Sequence, residues 1–255
     1  MQNKEEIDLS LVIACYNEES VLEGNFPQII ELLNSTIYSY EIIFVDDCSK
    51  DRTREIIDEI INQYKEIQIK KIFHSSNRGR GKTVTDGFLV SQGNVIGYID
   101  IDLEIHARYI PSMVNAINNG YDVATAFRIY KLDPTFFILF RHILSHGYRL
   151  LSRFILGHKL KDTEAGFKFF SRAKILPILE KIENEGWFWD TEIMVLSFYH
   201  GLNIVEIPCL FIRNLKKKST VSPIKDSISY LISLLKFRRK MKAKGAFTNY
   251  ESFIS

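Results

Sequence analysis

The segment Asp100-Ile-Asp102-Leu-Glu104 places three carboxylates at alternate positions directly after the apolar run Val95–Ile99. Alternate side chains of an extended chain point the same way, so the three acids converge. Converging carboxylates repel one another unless a cation joins them. Mg²⁺ or Mn²⁺, hard ions that take oxygen ligands, would satisfy them while also holding a diphosphate. Two further polar clusters follow apolar runs: Tyr16-Asn-Glu-Glu19 and Asp46-Asp47. A second chemistry is written in Ser76-Asn-Arg-Gly-Arg-Gly-Lys-Thr83, which has the spacing of a phosphate-cradling P-loop with Ser in place of the first glycine. A P-loop nucleotide triphosphatase is therefore the different-class alternative, although two strand–helix units precede the segment and the three-carboxylate cluster does not belong to that chemistry. Asp190 and Glu192 are either general-base candidates or caps of the helix that follows them. His142 and His146 have helical metal-ligand spacing but no evident third ligand, so an amphipathic surface accounts for them better. Trp187 and Trp189 read as core or pocket wall.

Residues of this kind need elements to hold them. Leu9–Cys15, Ile42–Val45, Ile67–Phe73 and Val95–Ile99 read as strands, and 18–35, 52–65 and 80–92 show helical spacing between them. Strand and helix in alternation predict an α/β fold with a mostly parallel sheet flanked by helices. Ligands of such sheets sit beyond the carboxyl ends of the strands, where the three polar clusters lie. The second half is less regular. Asp122–Phe127 and Leu202–Pro208 are candidate strands, and Thr135–Leu156 and Ser222–Met241 are amphipathic, the latter opening with a Ser-Pro start signal.

Composition narrows the partners. The 255 residues are 46% hydrophobic and 25% charged, which is enough for a large core. The net charge of +2 hides an asymmetry: residues 213–244 carry +10 and residues 1–212 carry −7. An acidic body disfavours nucleic acid as a partner, and a basic tail seeks anionic surfaces. Cys15, Cys48 and Cys209 are widely separated and form neither a disulfide framework nor a zinc motif, as expected of a reducing cytoplasm. The longest stretches free of Asp, Glu, Lys and Arg are 13 residues, below the ~18 needed to cross a bilayer. The first residues lack the apolar core of a secretory signal.

Val12-Ile-Ala-Cys-Tyr-Asn-Glu-Glu19, Val45-Asp-Asp-Cys-Ser-Lys-Asp-Arg-Thr53, Asn77-Arg-Gly-Arg-Gly81 and Asp100-Ile-Asp102, in this order, resemble the motifs of family 2 glycosyltransferases of the A-type fold. Asp162-Thr-Glu-Ala-Gly-Phe-Lys-Phe-Phe170 and Gly186-Trp-Phe-Trp-Asp-Thr-Glu192 are similar to the dolichyl- and polyprenyl-phosphate glucosyl- and mannosyltransferase branch. The resemblance covers residues 9 to about 222. It implies a catalytic domain over 1–212 and a basic loop and amphipathic helix over 213–255 that belong to the same structural domain and face a membrane. It places a nucleotide sugar against Ala14, Tyr16, Glu18, Asp46, Asp100, Ile101, Arg128, Arg213 and Lys218, with Asp46 on the base. Ala14 stands where the family usually has proline. Asp100, Asp102 and Glu104 would hold Mg²⁺ or Mn²⁺, Asp102, Arg128 and Asp190 would be catalytic, and Lys168 would meet an acceptor phosphate.

The activity so implied is inverting, metal-dependent transfer of a hexose from UDP-glucose, ahead of GDP-mannose, to a polyprenyl phosphate. Asp-Thr-x-x-Gly-Phe-Lys and Asn-x-Gly-x-Gly are more similar to the glucosyl branch. The same-class alternative is transfer to a hydroxyl of a surface polysaccharide or glycolipid. The expected place is the cytoplasmic face of a membrane, bound peripherally, with a small membrane-spanning partner as one possible anchor.

Overall fold

Apolar runs bounded by turn residues become the strands of one seven-stranded sheet. The computed structural model describes residues 6–130, 147–213 and 223–243, with side chains in the last segment from residue 228 onward. Strands β1 (Leu9–Cys15), β2 (Tyr40–Asp46), β3 (Gln68–Phe73) and β4 (Val95–Asp100) run parallel, linked by α1 (Glu19–Asn34), α2 (Thr53–Gln63) and α3 (Arg80–Val90). These follow the expected elements closely.

The second half adds what periodicity had not shown. After a 3₁₀ turn at Ala107–Tyr109 and α4 (Ile110–Asn118), β5 (Val123–Tyr130) does not join β4. Strand β6 (Phe167–Ser171) lies between them, antiparallel to both, and β7 (Ile204–Phe211) runs parallel to β5, giving the order β3-β2-β1-β4-β6-β5-β7. Two antiparallel steps restore the direction, so β5 and β7 end on the same sheet edge as β1, β2 and β4. The remaining helices are α5 (described over 147–156), α6 (Arg172–Leu179), α7 (Trp189–Tyr199) and α8 (Pro223–Ala243). The expected amphipathic stretch before residue 147, with His142 and His146, and the basic run at 216–218 lie outside the described residues.

Alternation along the strands sends side chains into two cores. Leu9, Leu11 and Ile13 meet Phe26 and Ile29 of α1, Ile57 of α2 and Met113 of α4. Val12, Ile43 and Val45 meet Phe88 of α3, Ile175 of α6, Met194 of α7, and Leu234, Phe237 and Met241 of α8. Each fully buried side chain of this size contributes about 1.5–3 kcal/mol.

The basic amphipathic helix α8 is thus built into the second core. Phe188 packs against Tyr230 and Phe237 at ring separations of 5.2 and 5.7 Å. The Tyr230 hydroxyl lies 2.7 Å from that of Thr191, and the Lys240 ammonium donates to Glu183 at 2.9 Å and Glu192 at 3.3 Å. Its other face leaves Ile228, Leu231, Ile232 and Leu235 at the surface.

Two neighbouring substitutions separate these faces. Leu234→Ala removes a fully buried side chain and is expected to lower stability by about 2–5 kcal/mol. Leu235→Ala, 43% exposed, should stay within about 0.5 kcal/mol of the parent. Urea unfolding of the two variants reads the difference, and equal, small effects would mean that α8 is only loosely attached.

Candidate functional site

The loops after β1, β2 and β4 each turn on one residue in the left-handed region: Asn17 (φ 57°), Cys48 (φ 63°) and Leu103 (φ 52°). Such a conformation costs a non-glycine residue roughly 1–3 kcal/mol and persists where surrounding bonds enforce it. Here they do. Asn17 N–H donates to Ser49 at 2.9 Å, Lys50 N–H to the Asn17 side chain at 2.7 Å, and Glu18 N–H to Thr53 at 2.8 Å. The first two loops are stitched together, which brings Tyr16, 40% exposed, and Glu18 alongside Asp46.

Asp46 is fully buried at the end of β2. Its Oδ2 accepts from Arg54 and from Ser49 N–H at 3.1 Å, whereas Oδ1 has no partner among the described residues. A buried acceptor without a donor is costly, so a ligand N–H would be welcome there. Neighbouring Asp47 works on the chain instead. It accepts from Arg78 N–H at 2.7 Å and Gly79 N–H at 2.8 Å, and pairs with His74, which also reaches Asp86 at 3.2 Å. Lys82 N–H donates to the Glu185 carbonyl at 3.0 Å. The N–H groups that a P-loop would turn toward phosphate are therefore spent on protein acceptors, which removes the support for that alternative.

Arg80, at the start of α3, links the ends of two other elements. It donates to Asp100 Oδ1 at 2.5 Å and to Asp190 Oδ2 at 3.3 Å, lying between the rings of Tyr98 and Trp187 at 5.6 and 5.3 Å. Beneath it, Asp190 Oδ1 accepts from the Tyr98 hydroxyl and from the Lys168 ammonium at 2.6 Å. Lys168 also donates to the Ala165 carbonyl and, at 3.1 Å, to Tyr98. Expected at an acceptor phosphate, Lys168 is instead fully buried and acts here as a support for Asp190. Burial pushes its pKa down, and Asp190 opposes that shift. Asp190 lies in the first turn of α7 with its carboxylate turned into this cluster. Glu192, also buried, accepts from Glu183 and Asn184 N–H at 3.3 and 2.8 Å, which fixes the loop before α7. Trp189 is core, and Trp187, 58% exposed, is a wall at the mouth.

Arg128, near the end of β5, grips Asp162 with both arms at 2.7 and 2.9 Å and touches Glu164 at 3.3 Å. The guanidinium draws the Asp162 pKa below the usual carboxylate range against the effect of burial, while burial keeps Glu164 above it. Asp162 N–H and Lys161 N–H both donate to Glu206 on β7, at 2.9 and 2.6 Å. The Glu104 carbonyl accepts from Ile212 N–H at 2.8 Å, so the backbone just before Arg213 runs alongside the acidic segment. Lys218 lies outside the described residues.

Asp100, Asp102 and Glu104 are all half-buried. Asp102 accepts from Glu104 N–H at 3.3 Å, and Leu103 N–H donates to the Asp100 carbonyl at 3.2 Å, so the segment is one tight turn. Withdrawal from water raises the Asp100 pKa, Arg80 opposes the shift, and the charge of Asp102 adds to it. The carboxylates of Asp100 and Asp102 are a hard-oxygen set suited to a divalent cation. Among the described residues no three His, Cys, Asp or Glu side chains close around one point. Mg²⁺ is commonly bound through one or two carboxylates and completed by water and phosphate oxygens.

One glycine shows how tight this arrangement is. A Cβ on Gly166 would stand 1.9 Å from Asp100 Oδ2 and 2.6 Å from an Arg80 nitrogen, whereas one on Gly24, on the exposed face of α1, meets nothing within 4 Å. Gly166→Ala is expected to destabilise by about 1–3 kcal/mol. The same change at Gly24 should stabilise by about 0.4–1 kcal/mol. Opposite shifts of the urea midpoint are the expected result, and a neutral Gly166→Ala would mean that Asp100 and Arg80 relax freely.

Comparison with known proteins identifies the family and the fold. The sequence profile of glycosyl transferase family 2 matches residues 10–177. The dolichyl-phosphate beta-glucosyltransferase of Saccharomyces cerevisiae is 33% identical over 81% of this chain and 67% of its own length. Glycosyltransferase AglD of Haloferax volcanii is 31% identical over 79% of this chain, which spans only 32% of that longer protein. Glucosyl-3-phosphoglycerate synthase of Mycobacterium tuberculosis, solved with Mn²⁺, UDP and glucosyl-3-phosphoglycerate, superposes with a TM-score of 0.64 at 18% identity, covering 91% of this chain and 80% of that one. The likeness to that structure is one of fold, the A-type glycosyltransferase fold. The profile match over most of the chain and the yeast relative together show that this chain belongs to glycosyl transferase family 2.

Proposed function

We propose that this chain transfers glucose, with inversion, from UDP-glucose to a polyprenyl phosphate of the dolichyl or undecaprenyl type. The observation that supports the reading is the position of Asp46, Asp100, Asp102 and Arg128 at or near the carboxyl ends of β2, β4 and β5, in a chain one third identical to a dolichyl-phosphate glucosyltransferase. The free Oδ1 of Asp46 accepts the N–H of a uracil ring, with Tyr16 and Glu18 beside the ribose. Asp100 and Asp102, with Glu104 close by, hold a divalent cation. When bound, it offsets the charge that grows on the departing diphosphate. Arg213, one residue after the backbone bond between Ile212 and Glu104, would add a protein charge there.

A lipid phosphate is already ionised near neutral pH, with a second pKa of about 6, so it needs orientation more than a strong base. Attack by its oxygen on the sugar carbon opposite the leaving diphosphate gives inversion in one displacement. Asp190 is held from three sides by Arg80, Lys168 and Tyr98, so it shapes the pocket wall on this reading. Incubation of the purified protein with labelled UDP-glucose, polyprenyl phosphate and Mn²⁺ should yield a lipid product that mild acid hydrolyses. EDTA or Asp102→Asn should abolish it without unfolding the protein. An acid-stable glycoside would establish a hydroxyl acceptor, and indifference to EDTA would remove the cation from the reading.

The acceptor cannot leave its bilayer, and an apolar surface beside the site offers the means to reach it. Leu150 and Phe154 of α5, the latter 87% exposed, and Ile228, Leu231, Ile232 and Leu235 of α8 stand at the surface. The two helices are joined by Tyr148 and Tyr230, with ring centroids 5.4 Å apart. Lys236, Arg238, Arg239 and Lys242 on α8 supply cations, each contributing about 1 kcal/mol near an anionic leaflet. No helix among the described residues is long and apolar enough to cross a membrane. On this reading residues 1–212 form the catalytic body, and 213–255 help to seat it on the cytoplasmic face. The protein should float with anionic liposomes at low salt, release at high salt, and float less as Phe154→Ser/Ile232→Ser. Flotation unchanged by salt and by both substitutions would place the lipid contact elsewhere.

A further inference from the structure

Arg80 has an unusual set of neighbours for a helix-start arginine. Its side chain is only 13% exposed, yet it touches two carboxylates from different elements, one on a strand and one on a helix. Asp100 ends β4, on the side of the nucleotide, and Asp190 starts α7, beside the loop that carries Asp162 and Glu164. The two rings flanking the guanidinium, Tyr98 and Trp187, fix its plane. Gly81, the next residue, cannot carry a side chain, because a Cβ there would lie 2.4 Å from Trp189 Cβ; the start of α3 is therefore pressed directly onto α7.

We propose that Arg80 is a positioning residue that serves as the resident counter-ion of Asp100 and ties it to Asp190, so that a divalent cation arriving at Asp100 must compete with the guanidinium. The inference rests on the reading of Asp100 and Asp102 as cation-holding residues. Two consequences distinguish it from a structural ion pair. First, the positive charge of Arg80 weakens metal binding in the absence of nucleotide sugar, since it occupies an oxygen the cation would take and repels the cation directly. Second, the two-armed grip sets the relation between Asp100 and Asp190, which a point charge cannot do. Arg80 thus keeps the acidic turn ordered before the donor arrives and holds the wall formed by Asp190 in register with it.

Mn²⁺ binding to the full chain without nucleotide sugar, followed by the loss of the free-ion electron paramagnetic resonance signal, tests the first consequence. Arg80→Gln should bind Mn²⁺ about tenfold more tightly than the parent. Its turnover at saturating donor should nonetheless fall at least about tenfold, because Asp100 loses its tie to Asp190. Arg80→Lys keeps the charge and gives up the grip. It should retain Mn²⁺ affinity within about threefold of the parent while losing turnover like the Gln variant. A folded Arg80→Gln with unchanged Mn²⁺ affinity, or Arg80→Lys with the parent's turnover, overturns the proposal. If the parent itself binds no Mn²⁺ and Asp102→Asn changes nothing, the cation reading of the acidic turn falls, and this proposal falls with it.

Discussion

The Lys168 ammonium is fully buried, and the geometry of the whole site follows from how it is satisfied. Its three partners are the Ala165 carbonyl, the Tyr98 hydroxyl and Asp190, and each comes from a different part of the chain. Leaving one member of such a buried pair uncompensated costs about 3–5 kcal/mol, so the start of α7, the loop before β6 and the middle of β4 are bound to one another. Asp190 is pinned by this contact, Arg80 is aligned by Asp190, and Asp100 by Arg80. The acidic turn at the surface is therefore anchored to a charge at the centre of the molecule.

The same logic of enforced geometry recurs at the sheet edge. Asn17, Cys48 and Leu103 each hold a left-handed backbone, and in the first two loops the strain is offset by side chains of the neighbouring loop. The residue one position away from Tyr16, Asn17, thus carries the strain of the loop. Asp46 and Asp47 divide the work in the same manner: one has an oxygen to spare, and the other is consumed in holding the turn at 78–79. Helix α8 extends the principle to the far side, where Tyr230 and Lys240 hold α7 by its first turn.

The first half of the fold was legible because parallel strands buried on both faces are written as short apolar runs, and because α1 and α2 present one apolar stripe. Strand β6 escaped notice because Phe-Lys-Phe-Phe-Ser contains a lysine, which reads as surface until its buried partners are known. The helix expected after Asp190 and Glu192 is α7, but its extent was hidden because every residue from Trp189 to Ser197 is buried, so that no polar face marks its period. The carboxylates of the acidic turn and Asp46 were readable from their place after strands. Arg80 was not, since its partners Asp100 and Asp190 lie 20 and 110 positions away and nothing local announces either contact. The doubled acid of Asp46-Asp47 and the lone hydroxyl of Tyr98 in an apolar strand were the available signals for the residues that position the rest.

The insertion of β6 between β4 and β5 also bears on how the chain is made. Sixty-six residues separate Asp100 from Phe167, and β5 is synthesised within that interval without being the neighbour β4 requires. At about 5–20 residues per second, the ribosome leaves β4 with one bare edge for roughly 3–13 s. That edge belongs to a strand with every residue from Val95 to Ile99 buried in the finished protein, the kind of surface that invites pairing with another chain. The nascent polypeptide is most vulnerable to association between its first and second halves, and a chaperone that shields it during those seconds protects a single strand.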